Sequence, residues 1–248
     1  RRALAIAAPI ALLLVALMLT PASAAEPTPV GTPSIDLQHF SPAGSFHDFA
    51  AVRSARLLPR FRPAIDLVAS YAHHPLQLSE ERSGTLSRYG GGVDGLIAGH
   101  ARVGFAFGTV FELDLQMPFL QYSFAGDLFE DFGNQGQLGL GDLWIEGRFL
   151  LLPESKGLGI ELTPFLTLPT GSADRMMSSG VPTFGGLLAI SRRWTPIHVA
   201  AHVGYQYKPG SAELNGYYSA DDRILYGVGV GVSPSPAVDI NLELAGHG

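Results

Sequence analysis

From Pro63 onward, apolar and polar residues alternate with a period of two, which sends successive side chains to opposite faces of a sheet. Phe111, Leu113, Leu115, Met117 and Phe119 are interleaved with Glu112, Asp114 and Gln116, so one face is greasy and the other charged. Val238, Ile240, Leu242 and Leu244 stand against Asp239, Asn241 and Glu243 in the same way. Residues 140–151, 158–170 and 197–208 carry the pattern too. The alternation predicts nine strands, near 63–74, 92–107, 110–123, 140–151, 158–170, 183–194, 197–208, 223–232 and 237–246. The sixth is ambiguous, because Arg192 and Arg193 place a charge on both faces.

These runs exceed the usual strand of a soluble sheet and suit the roughly 9–11 residues that a tilted strand needs to cross a bilayer. The connections between them run roughly 17, 2, 16, 6, 12, 2, 14 and 4 residues, long and short in strict alternation, as short periplasmic turns and long external loops would give. The expected fold class is therefore all-β, an antiparallel up-and-down transmembrane β-barrel with the first strand running outward. Single-chain bacterial barrels have an even number of strands, so at least one further strand is expected beyond the nine visible. Aromatic residues near strand ends (Phe105, Phe107, Phe111, Trp194, Tyr205, Tyr207 and Tyr226) are candidates for a membrane girdle or for ordinary strand propensity.

Residues ahead of the strands fix the compartment. Arg1 and Arg2, an apolar run from Ala3 to Leu19, and Pro21-Ala22-Ser23-Ala24 form the three parts of a secretory signal peptide. Residues 1–24 are expected to be removed, the other reading being a retained membrane anchor. No initiator Met is present, so an incomplete N-terminus is expected. Residues 25–62 form a periplasmic or lumenal segment, in which Val52 to Leu58 is either a short strand or a stretch packed inside a barrel. Residues 63–248 are the incomplete barrel. After the signal no stretch of apolar residues is long enough for a membrane helix. Only a closed barrel otherwise satisfies backbone polar groups in lipid.

Composition narrows the partners. The formal net charge is −6, with no basic run interleaved with aromatics, which argues against nucleic acid. No cysteine is present, which excludes disulfides and Cys-ligated metal centres. No cofactor is expected, and the partners are outer-membrane lipid and lipopolysaccharide.

Short motifs add a resemblance. Gly141-Asp142-Leu143-Trp144-Ile145-Glu146-Gly147-Arg148-Phe149 resembles the "GDL…G+" strand of outer-membrane barrels, and Leu168-Pro169-Thr170-Gly171 the "LPTG" that closes the next one. With Phe40-Ser41-Pro42-Ala43, His73-His74-Pro75-Leu76 and Gly204-Tyr205, the chain resembles the N-terminal barrel of OmpA-family proteins of deltaproteobacteria. That resemblance implies a following periplasmic domain, absent from these residues, through which peptidoglycan would be bound. A less close resemblance is to barrels thought to pass aromatic compounds inward.

Candidate chemistry is sparse. His198 and His202 share a strand face but lie about 13 Å apart, too far for one zinc ion. His73 and His74 point to opposite faces. His100 with Ser70 or Ser191 is the one imaginable nucleophile pair, and no Gly-x-Ser-x-Gly elbow is present. Gly90-Gly91-Gly92 falls in an external loop. Gly227, Gly229 and Gly231 alternate with valine inside a strand, as a crowded or bent wall requires. Asp127, Glu130, Asp131, Asp221 and Asp222 are loop acids that could hold divalent ions or carry solvated charge.

The polar faces carry the main site residues. Asp66, Asp94, Arg102, Glu112, Asp114, Asp142 and Glu146 are expected to face the lumen, as are Arg148, Glu161, His198, His202, Lys208, Asp239 and Glu243. Facing lipid, unpaired charges would cost several kcal/mol each. Facing inward, they line a cation-favouring pore or pair across a filled interior. The expected function is non-enzymatic and structural, an envelope-anchoring barrel of the cell outer membrane. A passive channel for small solutes and a lipid-acting enzyme are the alternatives.

Overall fold

The computed structural model describes residues 40–44, 49–82, 85–125, 137–171, 177–209, 212–214, 218–220, 222–235 and 238–248. The chain is all-β, and nine long antiparallel strands curl into a half-barrel. They are β1 (Pro63–Arg82), β2 (Thr85–Ala106), β3 (Phe111–Ala125), β5 (Leu143–Leu152), β6 (Gly159–Leu168), β7 (Thr183–Trp194), β8 (Ile197–Tyr207), β11 (Arg223–Ser235) and β12 (Val238–His247). Each pairs with the next, in the order β1-β2-β3-β5-β6-β7-β8-β11-β12. Short β4 (Gln137–Gly139) adds to β3, and β9 (Ala212–Leu214) pairs with β10 (Tyr218–Ala220) as a separate ribbon. One 3-10 turn, Glu154–Lys156, sits between β5 and β6.

An antiparallel meander sends alternate connections to opposite rims. The links 107–110, 153–158 and 195–196 therefore share one rim, and the three long connections 126–142, 169–182 and 208–222 share the other with the β1–β2 hairpin end, whose link is only two residues. The β1–β2 connection, expected at about 17 residues, breaks the strict alternation of long and short. Residues read as a loop over 75–91 continue the hairpin, with Leu78 opposite Gly90 and Arg82 opposite Thr85, so Gly90-Gly91-Gly92 belongs to β2. The lack of greasy alternation there hid the strands; among the described residues no third strand pairs with the hairpin beyond Val93.

Burial runs opposite to that of a water-soluble domain. Leu242 is 79% exposed and Ile65 73%, while Glu112, Arg148 and Glu161 are 0% exposed. On β11, Val228, Val230 and Val232 are exposed, whereas Gly227, Gly229 and Gly231 are buried. Among the described residues the convex face is thus mainly apolar, and charge collects in the hollow. Trp194 at the short rim and Tyr205, Tyr207 and Tyr226 at the long rim are exposed, but Phe111 is buried between Phe107 and Phe149 and is not free to join a girdle. Arg192 resolves the ambiguity of β7: it lies on the exposed face with its guanidinium 4.6 Å over the Trp194 ring.

Residues 49–58 cross the hollow without forming a strand. The small core of Phe49, Val52 and Ala200 forms where this segment meets β8. Gly229 of β11 admits it, and Gly227 and Gly231 make room for two histidines of β8. A Cβ at Gly229 would come within 3.1 Å of the Phe49 ring, one at Gly227 within 2.6 Å of His202, and one at Gly231 would collide with His198.

Candidate functional site

Irregular backbone cannot be buried unless its N–H and C=O groups find partners. The inward charges supply them. Glu243 on β12 accepts from three successive amides, Ala50 at 2.8 Å, Ala51 at 2.8 Å and Val52 at 3.1 Å. His202 Nδ1 accepts from the Arg53 amide at 3.2 Å, Ser191 Oγ from Ala55 at 2.9 Å, and Glu112 from Leu58. Arg148 Nη2 donates in turn to the carbonyls of Ser54 at 2.9 Å and Arg56 at 3.2 Å.

The same side chains pair with each other. Arg148 forms a two-point bond with Glu161, at 2.9 and 3.0 Å, and lies 3.6 Å from Glu112. Arg53 from the crossing segment meets Glu146 at 2.6 Å. Arg102 pairs with Asp66 across β1 and β2. A Cβ on Gly104 would collide with the Asp114 carboxylate, so that glycine admits the acid to the hollow. The fully buried members need this pairing, because removing one partner from a buried ion pair costs about 3–5 kcal/mol.

Asp142 has another task. It accepts from the amides of Gly171 at 3.0 Å and Ser179 at 2.8 Å, and from the Ser179 hydroxyl at 2.8 Å. The Leu143 amide donates to Thr170 Oγ1 at 3.0 Å. The "GDL" and "LPTG" motifs therefore meet in space, and together they brace the β6–β7 connection. Gly171 is required there, since a Cβ would run into the carbonyls of Met177 and Leu140.

Of the residues expected to face the lumen, Arg102, Glu112, Asp114, Asp142, Glu146, Arg148, Glu161 and Lys208 are buried. His198, His202, Asp66 and Glu243 are half-buried, and Asp239 on edge strand β12 is exposed, accepting from Ser233. The side chain of Asp94 lies outside the described residues, as do Asp127, Glu130, Asp131 and Asp221. His198 packs on Phe49 with ring centroids 5.0 Å apart. Among the described residues no three His, Cys, Asp or Glu gather as metal ligands would.

Ser70 Oγ stands 3.4 Å from His100 Nε2, longer than the roughly 2.6–3.2 Å of an activated nucleophile. Ser191 is drawn elsewhere, to Ala55 and to Glu154.

Sequence reasoning missed Arg53, and it named Ser191 only as a partner for His100, not as the acceptor of the Ala55 amide. Arg53 lies in a segment without period, and only its charge amid apolar neighbours hinted at a buried partner. It also missed a cup at the long-connection end of the hollow. Its lining includes Phe40, His100, Gln116, Trp144, Gln206 and Lys208.

Comparison with known proteins adds no identity: no family model matches the chain, and none of the curated proteins matches it.

Proposed function

We propose that this chain is the barrel portion of an outer-membrane protein whose interior is filled rather than open, and whose role is structural. One observation carries the reading. The polar side chains are buried and paired in the hollow, while Ile, Leu and Val side chains cover the convex face. In water such a surface would expose large contiguous apolar area, whereas lipid accepts it. Strands satisfy backbone groups along the sheet, and the aromatic residues at both rims sit where headgroups would lie. The OmpA resemblance favours envelope anchoring, which would require a wall-binding domain outside the half-barrel.

The filled interior favours the structural role over the passive channel. Residues 49–58 occupy the hollow on side-chain acceptors drawn from β3, β7, β8 and β12. Ion flow would require that segment to leave.

The test uses the two tryptophans. Trp194 is exposed at the short rim, and Trp144 lines the cup and stacks on Phe165 at 5.0 Å. The whole chain is refolded into vesicles of lipids brominated on their tails, as Trp144→Phe and as Trp194→Phe. Trp194 emission is expected to be quenched strongly and Trp144 emission little. A compact, monodisperse protein in detergent-free buffer, with no quenching of Trp194, would overturn the membrane reading. In planar bilayers the expected record is flat. Steady single-channel steps would replace the structural role with the channel.

A further inference from the structure

The chain carries a formal net charge of −6, yet the exposed charges at the rim of the short links are mostly basic. Arg60 and Arg62 stand just ahead of β1, Lys156 in the β5–β6 link and Arg192 near the end of β7, all exposed. Among the described residues no carboxylate pairs with any of the four. Glu154 of the same link is turned toward Ser191 and Arg56. Asp239 is the exposed acid described there, and it accepts from Ser233. At the long rim, by contrast, Lys208 and Arg223 stand beside Asp142 and Asp222.

The bases are interleaved with uncovered rings. The Arg60 guanidinium lies 4.8 Å over Phe61, and that of Arg192 lies over Trp194. Phe61 is 57% exposed and Trp194 50%, and Phe107 of the β2–β3 link is exposed too. A guanidinium over a ring keeps N–H donors for an oxyanion, and phosphate matches its fork. Phe61 adds a separate sign. Its φ is 56°, and its amide is tied to the Ala106 carbonyl at 3.0 Å. That left-handed backbone crowds the Cβ of any residue but glycine, and such strain marks places where function holds a side chain. In water the strained, uncovered ring of Phe61 gains nothing. In an acyl boundary it is buried.

We propose that the short rim is a collar that selects anionic phospholipid. Arg60, Arg62, Lys156 and Arg192 hold the headgroup phosphates, and Phe61, Phe107 and Trp194 enter the boundary between headgroups and tails. A zwitterionic lipid carries the same phosphate, but its own ammonium group opposes the four bases. The collar rests on the membrane reading and adds to it a lipid class chosen by charge at one rim.

Trp194 reports on the collar directly. The whole chain carrying Trp144→Phe is refolded into phosphatidylcholine vesicles holding a minority of tail-brominated lipid, either phosphatidylglycerol or phosphatidylcholine. Brominated phosphatidylglycerol is expected to quench Trp194 more strongly, and high salt should erase the difference by screening exposed charges. In a chain lacking both native tryptophans, Phe61→Trp should show the same preference, and Tyr226→Trp at the long rim should show none. Arg60→Gln, Arg62→Gln and Arg192→Gln replace exposed side chains. Together they should lower the relative affinity for phosphatidylglycerol at least about fivefold, the contribution of one base near an anionic surface. Equal quenching by the two lipids would overturn the collar while leaving the membrane reading intact. A preference that survives the three substitutions, or that is as strong at Tyr226→Trp, would also overturn it. No quenching by either lipid would sink the collar and the membrane reading together.

Discussion

Arg148 shows how one residue ties the sheet to what it encloses. Its guanidinium is fully buried, clamps Glu161, approaches Glu112 and caps two carbonyls of the crossing segment. Arg148→Met would leave two buried acids facing each other, and a loss of about 3–5 kcal/mol is expected from urea unfolding in lipid or detergent. Gly229 is the complementary case. Gly229→Leu has no room against Phe49 and should cost about 1–3 kcal/mol by overpacking, whereas Val230→Leu on the exposed face should cost little. Both residues were legible as pattern but not as purpose. Strict alternation put Arg148 on the inner face and Gly229 among small inner residues. Each also touches the crossing segment, more than ninety positions away, and no local period encodes that.

At the scale of elements, the meander was readable because every strand from β3 to β12 keeps its greasy positions on one side. The crossing segment was legible only as one of two alternatives, a stretch packed inside a barrel, because its structure is dictated by side chains it meets rather than by its own sequence. Glu243 is its main anchor, taking three consecutive amides. Glu243→Gln keeps the shape but leaves one acceptor oxygen where the acid offers two. Amide exchange at residues 50–52 is therefore expected to accelerate, while exchange in β5 and β6 stays unchanged. Equal acceleration everywhere would mean that the substitution loosens the whole sheet instead. In planar bilayers, Glu243→Ala combined with Ser191→Ala should produce intermittent openings that the parent chain lacks, since the hollow is closed by a segment rather than by the wall.

The molecule as a whole presents apolar side chains outward, and that predicts a depth-dependent penalty for charge on its skin. Val230→Arg, on the convex face of β11, should lower stability by about 2–4 kcal/mol in lipid, and Ile224→Arg near the long rim by about 0–1 kcal/mol. Equal effects at the two positions would deny the sheet a membrane depth. Past Val93, β1 and β2 leave their neighbours and continue as a two-stranded ribbon to Arg82 and Thr85. Some nine residues at about 3.3 Å each make a mast of about 30 Å above the level where β3 ends. Among the described residues no third strand pairs with it there, so a single ladder of main-chain hydrogen bonds holds it together. Under the proposed membrane reading, anything arriving at that rim meets the mast before the wall below.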